Sequence, residues 1–179
     1  MIGLNFYAGS RRYLDPAKAH EVVEAIPNGV WKVGVFVNAS RAEIEDLRSG
    51  LGLDAVQFHG DEGPEALSGW SCPVIRALRI SGPADAARAL ASDPADYYLC
   101  EGLAGGGYGG GGETFDWTWA RDVPSSQLIV AGGLRPENVA RAVRQLRPYA
   151  VDVASGVESD PGIKDPKKVR ELIENAKSA

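Results

Sequence analysis

LIVAGGLRPENVARAVRQLRPYAVDVASGVE, residues 128–158, decides the fold of this chain. It opens on an apolar, branched run, Leu128-Ile129-Val130-Ala131, with the length and composition of a strand buried on both faces. Gly132-Gly133 follow at once, where the absence of side chains allows a tight turn and lets bare N–H groups approach a ligand. Pro136 in a first turn, with apolar residues at Val139, Ala140, Val143 and Leu146, predicts a helix starting near Arg135. A second strand, residues 150–154, closes the unit and also ends in a small polar turn, Ser155-Gly156. Two successive parallel strands that both finish in glycine turns make a phosphate cradle, the arrangement found after the last two strands of many (β/α)8 barrels. A single βα turn often contains glycine for purely local reasons. A pair of such turns on adjacent strands points to an anion.

Composition narrows the partner. The chain has 179 residues, enough for one well-buried domain and short for two, so residues 1–179 are expected to form a single domain. A net charge of −5 and a sequence pI near 5.1 argue against nucleic acid or an anionic membrane surface, which clustered Lys and Arg would bind. A small molecule is the expected partner. No apolar run approaches the roughly 20 residues that cross a bilayer, and the first residues lack the basic-then-apolar order of a signal peptide, so a cytoplasmic location is expected. Cys72 and Cys100, with His20 and His59, are too few and too scattered for a disulfide framework or a metal cluster.

Outward from residues 128–158, apolar runs alternate with amphipathic segments, the signature of repeated βα units around a parallel sheet. Strands are predicted at 2–7, 30–37, 53–58, 73–80 and 96–100, before the two already described. Helices are predicted from Asp15-Pro16 to about residue 26, from 41 to 51, around 64–67, within 83–91, over 114–121 and over 165–177, besides the one near 135. Residues 102–113 hold eight glycines and one aromatic, Tyr108, and a loop of that length inside a domain is usually functional. The count is seven strands where a closed barrel of this class needs eight.

Six spaced motifs carry a resemblance to a family. They are Asn5-Phe6-Tyr7 with Ser10-Arg11-Arg12-Tyr13, the run from Lys32 to Asn38, the run from Leu53 to Gly60 with Gln57 and His59, Gly109 to Gly112 with Thr114-Phe115-Asp116-Trp117, Ala131 to Asn138, and Val151 to Glu158 with Pro161-Gly162-Ile163-Lys164-Asp165. In that order, over the whole chain, they resemble phosphoribosylanthranilate isomerase of tryptophan biosynthesis. The resemblance implies a (β/α)8 TIM barrel and an Amadori rearrangement of an anthranilate-linked ribofuranose 5-phosphate to the open-chain aminoketose. Such a reaction needs a general acid at the ring oxygen and a general base at ribose C2. It implies no metal and no organic cofactor.

Roles carry over position by position. Arg12 matches an arginine that pairs with the anthranilate carboxylate, a task suited to a planar guanidinium, although a loop arginine is otherwise usually solvated. Glu101 falls where the family has an aspartate as general acid, so this chain departs from the pattern by one methylene. Asp152 matches an aspartate near the sugar, in a supporting role, and Gln57 and His59 match the pocket wall. Gly132, Gly133, Ser155 and Gly156 form the phosphate end.

A second departure lies at the start. The family begins with a strand bearing Lys-Ile-Cys-Gly, whose cysteine is the base, followed by a helix. The 179 residues open on Met1-Ile2-Gly3, so the reading expects a barrel with its first βα unit missing and with activity impaired. Cys72 precedes a strand, and Cys100 points away from Glu101 by strand alternation, so neither replaces that base. Three readings stay open: an isomerase chain shortened by a misplaced start or a deletion, a non-catalytic sugar-phosphate-binding barrel, and a fragment completed by another chain that supplies the strand.

Overall fold

The apolar runs become strands and the capped amphipathic segments become helices. A computed structural model describes residues 1–102 and 115–179. The functional loop expected at 102–113, with Tyr108, therefore lies outside the described residues except for Gly102. Two compact units emerge, Met1–Arg76 with Asp93–Asp96, and Ala77–Ser92 with Tyr97–Ala179.

The first unit holds β1 (Ile2–Asn5), α1 (Pro16–Glu24), β2 (Lys32–Phe36), α2 (Arg41–Leu51), β3 (Ala55–Phe58), α3 (Pro64–Leu67) and the start of β4 (Val74–Ile80). β1 to β4 pair in parallel, with Asn5 opposite Val35, Phe36 opposite Phe58 and Phe58 opposite Arg76. The helices begin where the sequence places caps. Asp15 accepts from the Ala17 N–H at 3.0 Å, and Ser40 and Glu43 form a reciprocal capping box. α2 ends at Gly52 in the left-handed conformation, φ 60°. Phe36, Ile44, Val56, Phe58 and Leu67 are buried to within 1% and form the core with Leu4, Leu51, Leu53 and Val74. Each such side chain contributes about 1.5–3 kcal/mol by leaving water. All of β3 is buried, which explains why its sequence is continuously apolar apart from Gln57.

The second unit continues β4 and adds α4 (Ala84–Ser92), β5 (Tyr97–Gly102), a 3-10 turn (Trp117–Ala120), β6 (Leu128–Val130), α5 (Pro136–Leu146) and β7 (Ala150–Val151). A second 3-10 turn (Ser155–Val157), a hairpin of β8 (Glu158–Asp160) and β9 (Ile163–Lys164), and α6 (Pro166–Lys177) complete it. β5, β6 and β7 pair in parallel, with Cys100 opposite Val130 and Val130 opposite Val151. α5 and α6 pack through Val139, Val143, Val169 and Leu172, with Val157 of the 3-10 turn between them in the cluster. The Asn175 side-chain amide donates to the Pro136 carbonyl at 2.9 Å and ties the two helices at one end.

The seven parallel strands run in sequence order, as the alternation of apolar and amphipathic segments predicts. Several boundaries differ from expectation. The helix expected at 114–121 is a single 3-10 turn in its described part, held by Asp116 accepting from the Thr118 N–H at 2.9 Å. The strand expected at 150–154 pairs only over Ala150–Val151, and the antiparallel hairpin β8–β9 is an addition. β5 extends through Glu101 to Gly102.

Candidate active site

Glu101 lies on a strand and not in a loop, and it is 7% exposed. Its ladder neighbour is fixed, because the Ala131 N–H donates to the Cys100 carbonyl at 2.8 Å. The next residue on that neighbour, Gly132, has φ 76°, and a Cβ there would sit 2.9 Å from the Gly102 nitrogen and 3.4 Å from the Glu101 Cα. Only a glycine lets the β6 turn close so tightly onto the backbone that carries the Glu101 carboxylate. Gly156 works by contact and not by conformation: a Cβ on it would run into the Leu134 carbonyl and lie 3.2 Å from the Arg135 Cα. The turn after β7 is thus pressed against the turn after β6, and the turn after β6 in turn lies against the end of β5.

Side chains behind these turns hold their shape. Asn138, in the first turn of α5, accepts from the Arg135 N–H at 2.9 Å and donates to the Gly133 carbonyl at 3.0 Å. The Lys164 ammonium donates to the Ala154 carbonyl at 3.0 Å and to the Glu158 carboxylate at 2.9 Å. Lys168 donates to the Glu158 carbonyl at 2.9 Å. Asp152 is one residue beyond β7, and its N–H donates to the Val130 carbonyl at 2.8 Å. Its expected position inside the strand is corrected: the ladder carries it by a single bond at the frayed end. Glu101, Gly132, Gly133, Asp152, Ser155 and Gly156 all belong to this second unit.

Gln57, His59 and Arg12 belong to the first unit. Gln57 is 8% exposed on β3, and its amide nitrogen lies 3.0 Å from His59 Nδ1, as side chains two apart on one strand face allow. The loop after β3 is anchored by Glu62, which accepts from the Asn38 N–H at 2.7 Å and the Gly60 N–H at 2.9 Å. Arg76 from β4 completes that anchor, bonding Glu62 at 2.9 Å and Asp93 at 3.1 Å. Arg12 is half-buried in a loop folded back on β1, with its N–H donating to Ser10 Oγ at 3.1 Å and the Asn5 side chain reaching the same hydroxyl at 3.3 Å.

Both cysteines are free thiols. Burial alone pushes Cys100 up to about 12, and burial is the main cause that raises Cys72. A thiol held neutral cannot collect a proton. Among the described residues, no group of three or more His, Cys, Asp or Glu could hold a metal ion, and no helix is long and apolar enough to cross a membrane.

Asn138 and Lys164 stood in the quoted motifs without a task, and sequence reasoning missed Arg76 altogether. Asn138 had a signal, since an Asn three residues past a helix start can reach back to the capping position. For Lys164 and Arg76 no local spacing gave the task, because it depends on the Ala154 carbonyl ten residues away and on the Glu62 carboxylate fourteen residues away.

The chain is similar to known proteins in sequence and in fold. The family model described as N-(5'-phosphoribosyl)anthranilate (PRA) isomerase matches residues 1–175. The chain is 51% identical to the N-(5'-phosphoribosyl)anthranilate isomerase of Myxococcus xanthus over 99% of its own length and 85% of that protein. It is 44% identical to the Pseudomonas aeruginosa enzyme, covering 99% of itself and 84% of the relative. Among solved structures, phosphoribosyl anthranilate isomerase from Thermotoga maritima superposes with a TM-score of 0.87 at 38% identity, over 99% of this chain and 87% of that one. A phosphoribosyl anthranilate isomerase in complex with reduced 1-(o-carboxyphenylamino)-1-deoxyribulose 5-phosphate superposes with a TM-score of 0.83 at 38% identity, over 99% of this chain and 87% of that one. The fold is therefore of the (β/α)8-barrel type, represented by seven parallel strands.

Proposed function

The chain belongs to the phosphoribosylanthranilate isomerase family, and from that premise we propose that Glu101 is its general acid, with the phosphate of the substrate held at Gly132, Gly133, Ser155 and Gly156. The family's reaction is an aldose–ketose isomerisation, the conversion of N-(5'-phosphoribosyl)anthranilate to 1-(2-carboxyphenylamino)-1-deoxyribulose 5-phosphate. In the first half a proton passes from an acid to the ring oxygen as the C1–O bond breaks, leaving an open-chain Schiff base. In the second half a base takes the C2 proton, and the resulting enol tautomerises to the ketone.

What supports the acid role is the close approach at Gly132, which brings an anion-type turn against the strand segment bearing a nearly buried carboxyl. Anchoring a phosphate by N–H groups there would fix the sugar relative to Glu101, which is the positioning that acid catalysis requires. Arg12 pairs with the anthranilate carboxylate, Gln57 and His59 form wall, and Asp152 supports the sugar end. The base is neither Cys72 nor Cys100, whose thiols are held neutral. The acidic charge fits a cytoplasmic enzyme of small metabolites with no nucleic-acid partner.

Steady-state kinetics test the assignment. Glu101→Gln is expected to lower kcat by about 10²–10⁴-fold while leaving the affinity for the reduced product unchanged. Unaltered kcat would remove Glu101 from the chemistry. Product binding with no turnover in the parent protein would favour a non-catalytic sugar-phosphate binder.

A further inference from the structure

We propose that Asn138 and Lys164 are positioning residues that set the peptide planes of the two phosphate turns, and thereby decide which backbone N–H groups meet the anion. The inference rests on the phosphate reading of these turns. Each side chain captures a carbonyl and not an N–H: Asn138 takes that of Gly133 at 3.0 Å, and Lys164 that of Ala154 at 3.0 Å. Among the described residues the peptides are trans, so a carbonyl and the N–H that follows it point in opposite directions. Holding the Gly133 carbonyl turns the Leu134 N–H away from Asn138. Holding the Ala154 carbonyl turns the Ser155 N–H away from Lys164.

A glycine turn needs such a brace more than other turns do, since glycine at positive φ has many competing conformations and the peptide plane on either side can flip. Gly132 and Gly133 have φ 76° and 63°, so this turn lacks side chains that would resist a flip. Asn138 suits the task because one amide both donates and accepts, and its second bond, from the Arg135 N–H at 2.9 Å, locks the far side of the same turn. Lys164 is held in turn by the Glu158 carboxylate at 2.9 Å, a group only 6% exposed, so its ammonium has a fixed origin. The hairpin β8–β9 thereby acquires a use: it carries Lys164 back beneath the turn at Ala154. Within the phosphate end the braces thus single out the Ser155 N–H, and they add to it the Leu134 N–H, the next one along from Gly133.

Calorimetry with the reduced product and with its dephosphorylated counterpart separates positioning from general stability. The parent protein should prefer the phosphorylated ligand. Asn138→Ala and Lys164→Met should each shrink that preference by about tenfold, the size of one or two lost hydrogen bonds, with no change in affinity for the dephosphorylated ligand. An undiminished preference in either folded variant overturns the brace at that residue, and an equal loss for both ligands overturns it by showing a merely structural role. If the parent protein shows no preference, the phosphate reading of the turns fails, and the brace with it. Should Asn138→Ala not fold, Asn138→Asp decides. It keeps the acceptor for the Arg135 N–H but cannot donate to the Gly133 carbonyl, so the preference must still fall, and an intact preference overturns the proposal.

Discussion

A thiol whose pKa is pushed up to about 12 by burial has almost no thiolate near neutral pH, so Cys100 should resist alkylation in the folded protein. Cys72 is half-buried and raised to a lesser extent, and it should react slowly but first. Mass spectrometry after iodoacetamide treatment checks this: a single adduct on Cys72 is expected, and two appear only in denaturant. Prompt labelling of Cys100 in the native state would mean that the end of β5 opens, and would reopen the question of its role. At this scale the sequence was readable wherever chemistry forbids a side chain. Gly132 and Gly156 were singled out as turn glycines that leave N–H groups open to an anion, and the structure adds a second reason for them, since both meet backbone at the position of the missing Cβ. Asn138 was visible as part of a motif but without a task, because its two bonds depend on where the turn puts the Gly133 carbonyl. Arg12 was assigned a task only through the family resemblance, since a half-buried loop arginine has no local signature.

Between elements, charged groups fasten loops to strands. Arg76, Glu62 and Asp93 have side chains 13%, 5% and 12% exposed, so water screens them little. Removing the arginine takes the cation away from two poorly exposed carboxylates. Arg76→Met, which keeps the volume, should cost about 3–5 kcal/mol, measured by urea unfolding. A loss below about 1 kcal/mol would show that the carboxylates find water or protons without rearranging the loop after β3. Asp85 gives a pH signal. It accepts from the Ser81 N–H and hydroxyl at 2.8 Å each and from the Gly82 N–H at 3.0 Å, and these bonds, Ser81's foremost, hold its carboxyl below the ordinary 3.8. A depressed folded-state pKa stabilises above the unfolded value, and that contribution is lost as pH falls through the folded one. The stability gap between parent and Asp85→Asn should therefore be constant near neutral pH and narrow in acid below about 3.8. A gap that widened in acid would contradict the assignment. Element boundaries were legible where caps are written in the chain, as at Asp15, Ser40 and Asp165. They were misread after β7, where an alternating run, Ala150 to Ala154, looks like a strand but pairs only over Ala150–Val151.

At the scale of the whole chain, strand order was legible because a repeated βα unit gives parallel neighbours in sequence order, with little choice of topology. The division into two units was not, since nothing in the residues of β4 marks the passage at Arg76–Ala77. Among the described residues β1 pairs only with β2 and β7 only with β6. Both carry apolar residues that remain open to water: Ile2 is 40% exposed, and Ala150 and Val151 are half-buried. A strand presenting unpaired N–H and C=O groups beside apolar side chains invites another strand. The relatives matched here are longer, the chain spanning 85% of the Myxococcus xanthus enzyme, so the addition can be made with native-like material. Joining the family's strand and helix bearing Lys-Ile-Cys-Gly ahead of Met1 should raise Tm and should raise kcat by about 10²–10⁴-fold, the usual contribution of one positioned base. The same addition with Ala in place of that cysteine should raise Tm alone. The contrast between the two separates pairing from chemistry: if both additions restore turnover equally, the base lies within the 179 residues, with Asp152 at the frayed end of β7 first in line, and if neither raises Tm, the edges of β1 and β7 are already satisfied without a new strand.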